Sequence, residues 1–173
     1  AACGVDSYRT HVDEVVMPAV MAGVAASVRD RFSEDLLRAV PGSRLPSDGR
    51  SPAIELKVGP VKRTGRIGVK VGEYREEKGE EEWPHSKFVT DVLRASYICG
   101  TAEDLVKAYE GLAASPDFEV VRLKNKIGKC QGPFNLHANV LFHPPECEKP
   151  VLCEVQFYPR AVFDMQHRQH LAY

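Results

Sequence analysis

The amino-acid sequence predicts an α/β domain of the α+β kind, in which a mixed sheet is flanked by helices and preceded by a helical arm. Five short apolar runs are rich in branched residues, which is typical of strands. Segments with helical periodicity lie before, between and after these runs. This alternation favours helices packed on a sheet. The strand candidates are residues 54–58, 93–99, 118–123, 136–142 and 151–157.

The N-terminal part of the chain predicts one long helix over residues 18–40. Apolar residues recur there every three or four positions, and a Pro-Gly pair follows as a helix stop. Residues 41–53 are rich in proline, glycine and serine, a composition typical of linkers. We therefore expect a helical arm and linker over residues 1–52 and the main domain over residues 53–173.

Two further helices are predicted in the main domain. Thr101 and Asp104 have the spacing of a capping box, so a helix begins there and connects the second strand candidate to the third. Such a strand–helix–strand unit predicts that the two strands pair in parallel. A last helix is predicted after Pro159.

Charge and composition limit the classes of partner. The 173 residues carry 23 Lys and Arg against 24 Asp and Glu, a net charge of -1, so no overall attraction to duplex DNA is expected. The longest apolar run, residues 15–28, contains Pro18 and is shorter than the roughly 20 residues that span a membrane, so no membrane-spanning segment is expected. Five scattered cysteines favour a reducing, intracellular compartment, either the cytoplasm or an organelle lumen.

One segment is strongly basic although the chain is nearly neutral. Residues 54–75 hold six cationic side chains and two glutamates. Lys62, Arg66 and Lys70 recur at intervals of four, which on a helix puts three cations on one face, where a triphosphate can bind. The alternative is an ordinary solvated helix face. The acidic residues 76–82 lack an apolar anchor, so they predict an exposed loop and no metal site.

Two carboxylates in or beside strand candidates indicate a second part of a site. Asp91 precedes the second strand candidate, and Glu154 lies inside the fifth, where strand alternation places Glu154 and Gln156 on one face. Two carboxylates from separate strands can bind Mg²⁺ and, through it, nucleotide phosphates. The alternative is that Glu154 faces solvent on a half-exposed sheet. His137 and Asn139 share one face of the fourth strand candidate, so these polar side chains can form one pocket floor.

The order of these motifs resembles the synthetase domain of the RelA/SpoT family, whose members make (p)ppGpp. The family's Gly-Tyr-x-Ser-Leu-His, Glu-x-Gln-Ile-Arg-Thr and Gly-His-Trp-Ala-Tyr segments look like residues 132–137, 154–159 and 169–173 here. Its Lys-Asp-Tyr-Ile segment resembles Lys124-Asn-Lys-Ile. The resemblance covers residues 57–173.

The resemblance implies a mixed five-stranded sheet flanked by helices, of the nucleotidyltransferase type. It implies that ATP lies on the basic segment, that Asp91 and Glu154 are catalytic and hold Mg²⁺, and that pyrophosphate passes from ATP to a ribose 3′-hydroxyl. Such a transfer depends on positioning and charge neutralisation. The nucleotide contacts that it assigns are Lys57, Lys62, Arg66, Lys70, Arg94, Lys124, His137, Asn139 and Gln156.

The chain departs from the family at the position that holds the acceptor base. Pro133 replaces the tyrosine that stacks on this base, and proline has no aromatic face. Phe134 or Tyr158 is then expected to serve as the acceptor platform. Two functions follow from the resemblance. The chain binds ATP and transfers pyrophosphate to a nucleotide or RNA 3′-hydroxyl, or it is a catalytically silent module that interacts with other proteins in a larger assembly.

Overall fold

The computed structural model describes residues 3–46, 52–128 and 134–171, with side chains over residues 7–46, 52–128 and 134–166. A π-helical segment, Val12–Val16, joins the first two helices, and two short 3₁₀ turns, Glu80–Glu82 and His85–Phe88, follow the third. The helices are α1 (Cys3–His11), α2 (Met17–Ala39), α3 (Thr64–Lys78), α4 (Ala102–Ala114) and α5 (Arg160–Leu171). The strands are β1 (Ser43–Arg44), β2 (Ile54–Val58), β3 (Arg94–Cys99), β4 (Phe118–Asn125), β5 (Leu136–Phe142) and β6 (Val151–Pro159).

The strands form one mixed sheet in the order β1-β2-β3-β6-β5-β4. β1 pairs in parallel with β2, β3 pairs in parallel with β6, and the other neighbours are antiparallel. The predicted fold class is confirmed, and all five strand candidates are strands. The sixth strand, β1, has two residues and lies in the predicted linker. The sequence does not predict it, because a strand so short carries no recognisable alternation.

The capping box that begins α4 is confirmed, but the strand pairing predicted from it is wrong. The Thr101 hydroxyl accepts from the Asp104 backbone N–H at 3.1 Å, and the Asp104 carboxylate accepts from the Thr101 N–H at 3.1 Å. β3 and β4 do not pair, because β6 and β5 lie between them. The parallel partner of β3 is β6, which follows β4 and β5 in the sequence and lies between β3 and β5 in the sheet.

The two faces of the sheet differ in polarity. On β5 and β6 the buried positions alternate with half-buried ones, so one face is apolar and the other carries polar side chains. Helices α2 and α4 cover the apolar face. Phe32 of α2 packs edge-on against Phe118 and Phe142, and Tyr109 of α4 packs edge-on against Phe157. We refer to the polar side as the open face.

Helix α5 crosses part of the open face. Its first residue, Arg160, donates to the Glu55 carboxylate on β2 at 2.9 Å and to the Pro52 carbonyl at 3.0 Å. Glu55 is buried, and although burial raises its pKa, Arg160 and Lys57 outweigh that effect and hold its pKa below the usual value. The ion pair therefore anchors the start of α5 to β2.

Helix α2 packs against the sheet and contributes buried residues to the hydrophobic core. Its residues Phe32 and Leu36 are fully buried, and the Leu36 carbonyl accepts a hydrogen bond of 2.7 Å from the Tyr97 hydroxyl on β3. Among the described residues, one helical stretch, Ser7–Ala39, is long and apolar enough to cross a membrane. This test uses length and composition only, and core helices of globular domains pass it as well. The domain boundary near Pro52 and the absence of a membrane span stay predictions.

Truncating Phe32 measures how much α2 contributes to the core. Phe32→Ala removes a fully buried ring between two others and should lower the free energy of unfolding by about 3–5 kcal/mol. Urea denaturation followed by circular dichroism measures this change. Val106→Ala on the exposed face of α4 is the control and should change it by less than about 0.5 kcal/mol. Equal effects of the two variants would contradict the packing of α2.

Candidate functional site

A cleft of about 520 Å³ lies between helix α3, the connection that precedes it and the chain just before β3. Polar side chains line it, in contrast to the apolar face of the sheet. The charged side chains among them include Lys62, Arg63, Arg66, Lys70, Asp91 and Arg94. Four cations of the basic segment, Lys62, Arg63, Arg66 and Lys70, therefore line this cleft. We refer to it as the basic cleft.

The three regularly spaced cations reach the basic cleft from two elements. Helix α3 begins at Thr64, so Arg66 and Lys70 project from the helix and Lys62 lies before it. The expectation that all three share a helical face is wrong for Lys62. Its position is set by a backbone hydrogen bond of 3.0 Å to the Val92 carbonyl, which brings the connection beside the segment that carries Asp91.

Asp91 is the centre of an ion cluster. Its Oδ2 lies 2.5 Å from the Lys62 Nζ, and its Oδ1 accepts from the Lys70 Nζ at 3.0 Å. Burial raises the pKa of Asp91, but the two ammonium groups outweigh burial and hold its pKa below the usual value. Asp91 is therefore ionised at neutral pH.

The two lysines of the cluster differ in their environment. Burial lowers the pKa of both. For Lys70 the contact with Asp91 outweighs burial and raises its pKa, whereas for Lys62 burial, together with the neighbouring charges of Lys70 and Arg94, lowers its pKa. The cluster has more positive than negative charge within a partly buried cleft. An anionic ligand would relieve this imbalance.

Glu154 lies on the open face, in the middle of a hydrogen-bonded row of polar side chains. It accepts a very short hydrogen bond from the Gln156 amide, and its Oε2 lies 3.7 Å from the His137 Nδ1. The Tyr158 hydroxyl donates to the Gln156 Oε1 at 2.9 Å. Burial raises the pKa of Glu154, but the contacts with His137 and Gln156 outweigh burial and lower it. The predicted polar floor is present on β5 and β6.

Electrostatic effects connect Glu154 to the basic cleft. The charge of Asp91 acts to raise the pKa of Glu154, and the charge of Glu154 acts to raise the pKa of Lys70. Arg94, which lines the basic cleft, lies opposite Glu154 in the parallel pairing of β3 and β6. The two carboxylates therefore belong to one electrostatic environment.

A second cavity of about 510 Å³ lies on the open face where α5 crosses it. Arg94 lines both cavities, so they are adjacent. The Lys57 Nζ lies 4.7 Å from the centre of the Phe163 ring, and Gln156 and Tyr158 form part of the wall. Phe163 was missed by sequence reasoning because an aromatic residue in an amphipathic helix gives no signal of a site.

The remaining predicted residues lie on or next to strands β4, β5 and β6. Lys124 on edge strand β4 is opposite His137, and Asn139 is opposite Glu154. Phe134 is half-buried directly before β5. Tyr158 is 8% exposed, and its ring packs edge-on against Phe163, with centroids 5.5 Å apart. Of the two proposed acceptor platforms, Tyr158 is thus largely covered. Pro133 lies outside the described residues.

Asp91 and Glu154 are the candidate ligands for a magnesium ion. Mg²⁺ is usually held by one or two carboxylates together with substrate phosphates and water, and Asp91 and Glu154 provide two ionised carboxylates. In the described part of the chain, no group of three or more His, Cys, Asp or Glu side chains can hold a metal by itself. Both oxygens of Asp91 contact lysines. These residues therefore fit Mg²⁺ only when nucleotide phosphates are bound as well and replace Asp91 as the partners of the two lysines.

The ion cluster predicts a pH dependence of stability. Because the pKa of Asp91 is lower in the folded than in the unfolded chain, where it is about 3.9, ionised Asp91 stabilises the fold above that pH, and this contribution is lost as the pH falls through the folded value. Unfolding free energies of the unaltered chain and Asp91→Asn should therefore differ at pH 7 and converge in acid. Asp30→Asn, whose side chain is exposed, is the control. A difference that persists unchanged at pH 3 would contradict the cluster.

Comparisons with known proteins were made for sequence and for structure. No protein-family model and no curated protein sequence matches the chain. Solved structures do match. The small alarmone synthetase 1 from Bacillus subtilis bound to its product pppGpp is 20% identical, with a TM-score of 0.61 over 87% of this chain and 76% of that chain.

Two further structures agree with this match. The small alarmone synthetase 2 from Bacillus subtilis is 17% identical, with a TM-score of 0.58 over 91% of this chain and 78% of that chain. Synthetase 1 bound to AMPCPP is 19% identical, with a TM-score of 0.51 over 95% of this chain and 76% of that chain. This chain thus has the fold of the small alarmone synthetases, and the resemblance to RelA/SpoT-like synthetases that its motifs predict is confirmed at the level of the fold.

Proposed function

We propose that this chain is a divergent RelA/SpoT-like nucleotidyltransferase that binds ATP with Mg²⁺ and transfers pyrophosphate to the 3′-hydroxyl of a nucleotide or of RNA. The observation that carries the proposal is the cluster of Lys62, Lys70 and Asp91 in a basic cleft, with Glu154 in the same electrostatic environment. Proteins of the same fold bind pppGpp and AMPCPP. These ligands support a nucleotide as the occupant.

The donor triphosphate would lie in the basic cleft. Arg66 is exposed at its wall, and Lys62 and Lys70 can exchange their contacts with Asp91 for contacts with phosphate oxygens. Charge-assisted hydrogen bonds of this kind are among the strongest in proteins. The exchange would leave Asp91 free to bind a cation, so donor phosphates and cation would enter the site together.

The reaction would move a pyrophosphoryl group between two oxygens. The acceptor's 3′-oxygen attacks the β-phosphorus of ATP, the bond from that phosphorus to the oxygen of the α-phosphate breaks, and AMP leaves. Mg²⁺, when bound, would supply charge neutralisation at the phosphates. Asp91 and Glu154 would hold it, the lysines and Arg66 would orient the phosphates, and ionised Glu154 would accept the hydroxyl proton.

The acceptor would approach along the open face. Asn139, Lys124 and His137 lie on that face beside or one strand away from Glu154, and the Nε2 of His137 is buried without a hydrogen-bond partner. A buried unpartnered nitrogen is unfavourable, and an acceptor hydroxyl or phosphate would satisfy it. We propose Phe134, at the start of β5, as the platform for the acceptor base, because Tyr158 is covered by Phe163.

A catalytically silent interaction module is the second candidate. It is favoured by the closed state of the cluster, in which both Asp91 oxygens are bound to lysines, and by the covered ring of Tyr158. Thermal denaturation with a non-hydrolysable ATP analogue separates the two candidates. Magnesium-dependent stabilisation supports the nucleotidyltransferase, and no effect of nucleotide with or without Mg²⁺ supports the silent module.

Arg66→Ala tests the assignment of the donor phosphates. Loss of a charge-assisted hydrogen bond should weaken binding of the ATP analogue by about 1.5–3 kcal/mol, measured by isothermal titration calorimetry with Mg²⁺. Lys107→Ala, which removes an exposed cation from α4, is the matched control and should leave the affinity unchanged. Unchanged affinity in both variants would show that Arg66 is an ordinary solvated side chain that does not bind the donor phosphates.

A transfer assay with labelled ATP and a panel of acceptors tests the reaction. Because Pro133 offers no aromatic surface, we expect little ppGpp or pppGpp from GDP or GTP, and more transfer to another nucleotide or an RNA 3′ end. Glu154→Gln is the control and should abolish any transfer. Efficient ppGpp synthesis that Glu154→Gln abolishes would show that the acceptor assignment is wrong, although the reaction is right.

A further inference from the structure

The π-helical segment Val12–Val16 contacts helix α3, which carries Lys70, and the turn His85–Phe88, which precedes Asp91. We propose that three residues at these contacts, Asp13, Glu14 and Gly68, are positioning residues that hold Lys70 and Asp91 at the distance that nucleotide binding requires. The inference rests on the proposed function, because it assigns a role in the same cleft. None of the three touches the proposed substrate.

Asp13 fixes the chain that leads to Asp91. Its carboxylate is 2% exposed and accepts hydrogen bonds from the backbone N–H of His85 at 2.6 Å and of Ser86 at 3.0 Å. These residues begin the turn His85–Phe88, which ends three residues before Asp91. A buried carboxylate that binds two backbone N–H groups is a rigid anchor.

The same turn is connected to the end of helix α3. The Nε2 of His85 donates to the Gly79 carbonyl at 2.9 Å, and Gly79 directly follows α3 with a φ of 84°. Asp13 therefore reaches the C-terminal end of α3 through His85. The segment before Asp91 and the helix that carries Lys70 are thus held in one arrangement.

Glu14 fixes helix α3 along its length. Its Oε1 lies 2.7 Å from the Nη1 of Arg75, which also donates to the Thr10 hydroxyl at 3.3 Å. About two turns earlier on α3, Gly68 packs directly on the backbone of Glu14. A Cβ at Gly68 would lie 2.8 Å from the Glu14 carbonyl oxygen. Only glycine permits this approach, because the opposing atom belongs to the backbone and cannot rotate away.

The position of Gly68 connects this contact to the cleft. Gly68 lies between Arg66 and Lys70, and its neighbours Ile67 and Val71 are fully buried, so the helix cannot rotate to relieve a clash. A displaced α3 would carry Lys70 away from Asp91 and would move Arg66 at the wall of the basic cleft. Binding sites need their groups placed within about half an ångström. A π-helical segment inside a longer helix is common at functional sites.

Replacement of Gly68 by alanine tests the proposal, and α3 provides its own control. Gly68→Ala should weaken binding of the ATP analogue with Mg²⁺ by about tenfold to a hundredfold, because it displaces the phosphate-binding side chains. An added Cβ at Gly65, on the same helix, has no atom within 4 Å. Gly65→Ala makes the same chemical change in the first turn of the same helix without a clash, so its affinity should equal that of the unaltered chain.

A second comparison separates positioning from general loss of stability. Arg75→Met breaks the contact with Glu14 outside the basic cleft and should also weaken binding. Phe32→Leu lowers stability in the core, away from the cleft, and should leave the affinity unchanged at temperatures where the chain is folded. If Gly68→Ala does not fold, Arg75→Met carries the test.

The outcomes distinguish the inference from its premise. If the unaltered chain binds no nucleotide, the proposed function is overturned and the positioning role with it. If the unaltered chain binds and folded Gly68→Ala and Arg75→Met bind equally well, only the positioning role is overturned. Loss of affinity in these two variants, with normal affinity in Gly65→Ala and Phe32→Leu, supports it.

Discussion

The sheet is buried by α2 and α4 on one face, and this one-sided burial determines where the polar chemistry lies. Strand alternation sends every second side chain of β5 and β6 into the hydrophobic core. The intervening side chains must face the other way. His137, Glu154 and Gln156 occupy these intervening positions. They therefore share the open face.

Charge on the open face is arranged so that each buried group has a partner of opposite sign. Asp91 lies between two lysines, and Glu55 lies between Lys57 and Arg160. Unpaired ions in such partly buried positions would be costly. The pairing lowers the pKa values of both carboxylates and holds the lysines at the basic cleft.

The N-terminal helix has two roles in this arrangement. Its C-terminal part, α2, completes the core through Phe32 and Leu36. Its N-terminal part includes the π-helical segment, where Asp13 and Glu14 bind the turn before Asp91 and helix α3. The residues predicted as an arm thus contact both the core and the surroundings of the basic cleft. Asp13 is buried, and the backbone N–H groups of His85 and Ser86 satisfy its carboxylate.

The sequence by itself determined the features that depend on neighbouring residues. Strand composition, the capping box at Thr101, the spacing of Lys62, Arg66 and Lys70, and the polar alternation around Glu154 are all local patterns, and they were enough to predict the fold class. The RelA/SpoT-like motif order led to the same candidate residues.

The tertiary structure decided what depends on residues far apart in the chain. The insertion of β6 beside β3, the contact of Lys70 with Asp91, the cover of Phe163 over Tyr158 and the approach of Gly68 to Glu14 have no local signal. Each joins segments whose separation in sequence says nothing about their distance in space, because that distance is set by how helices and strands pack to bury the apolar face.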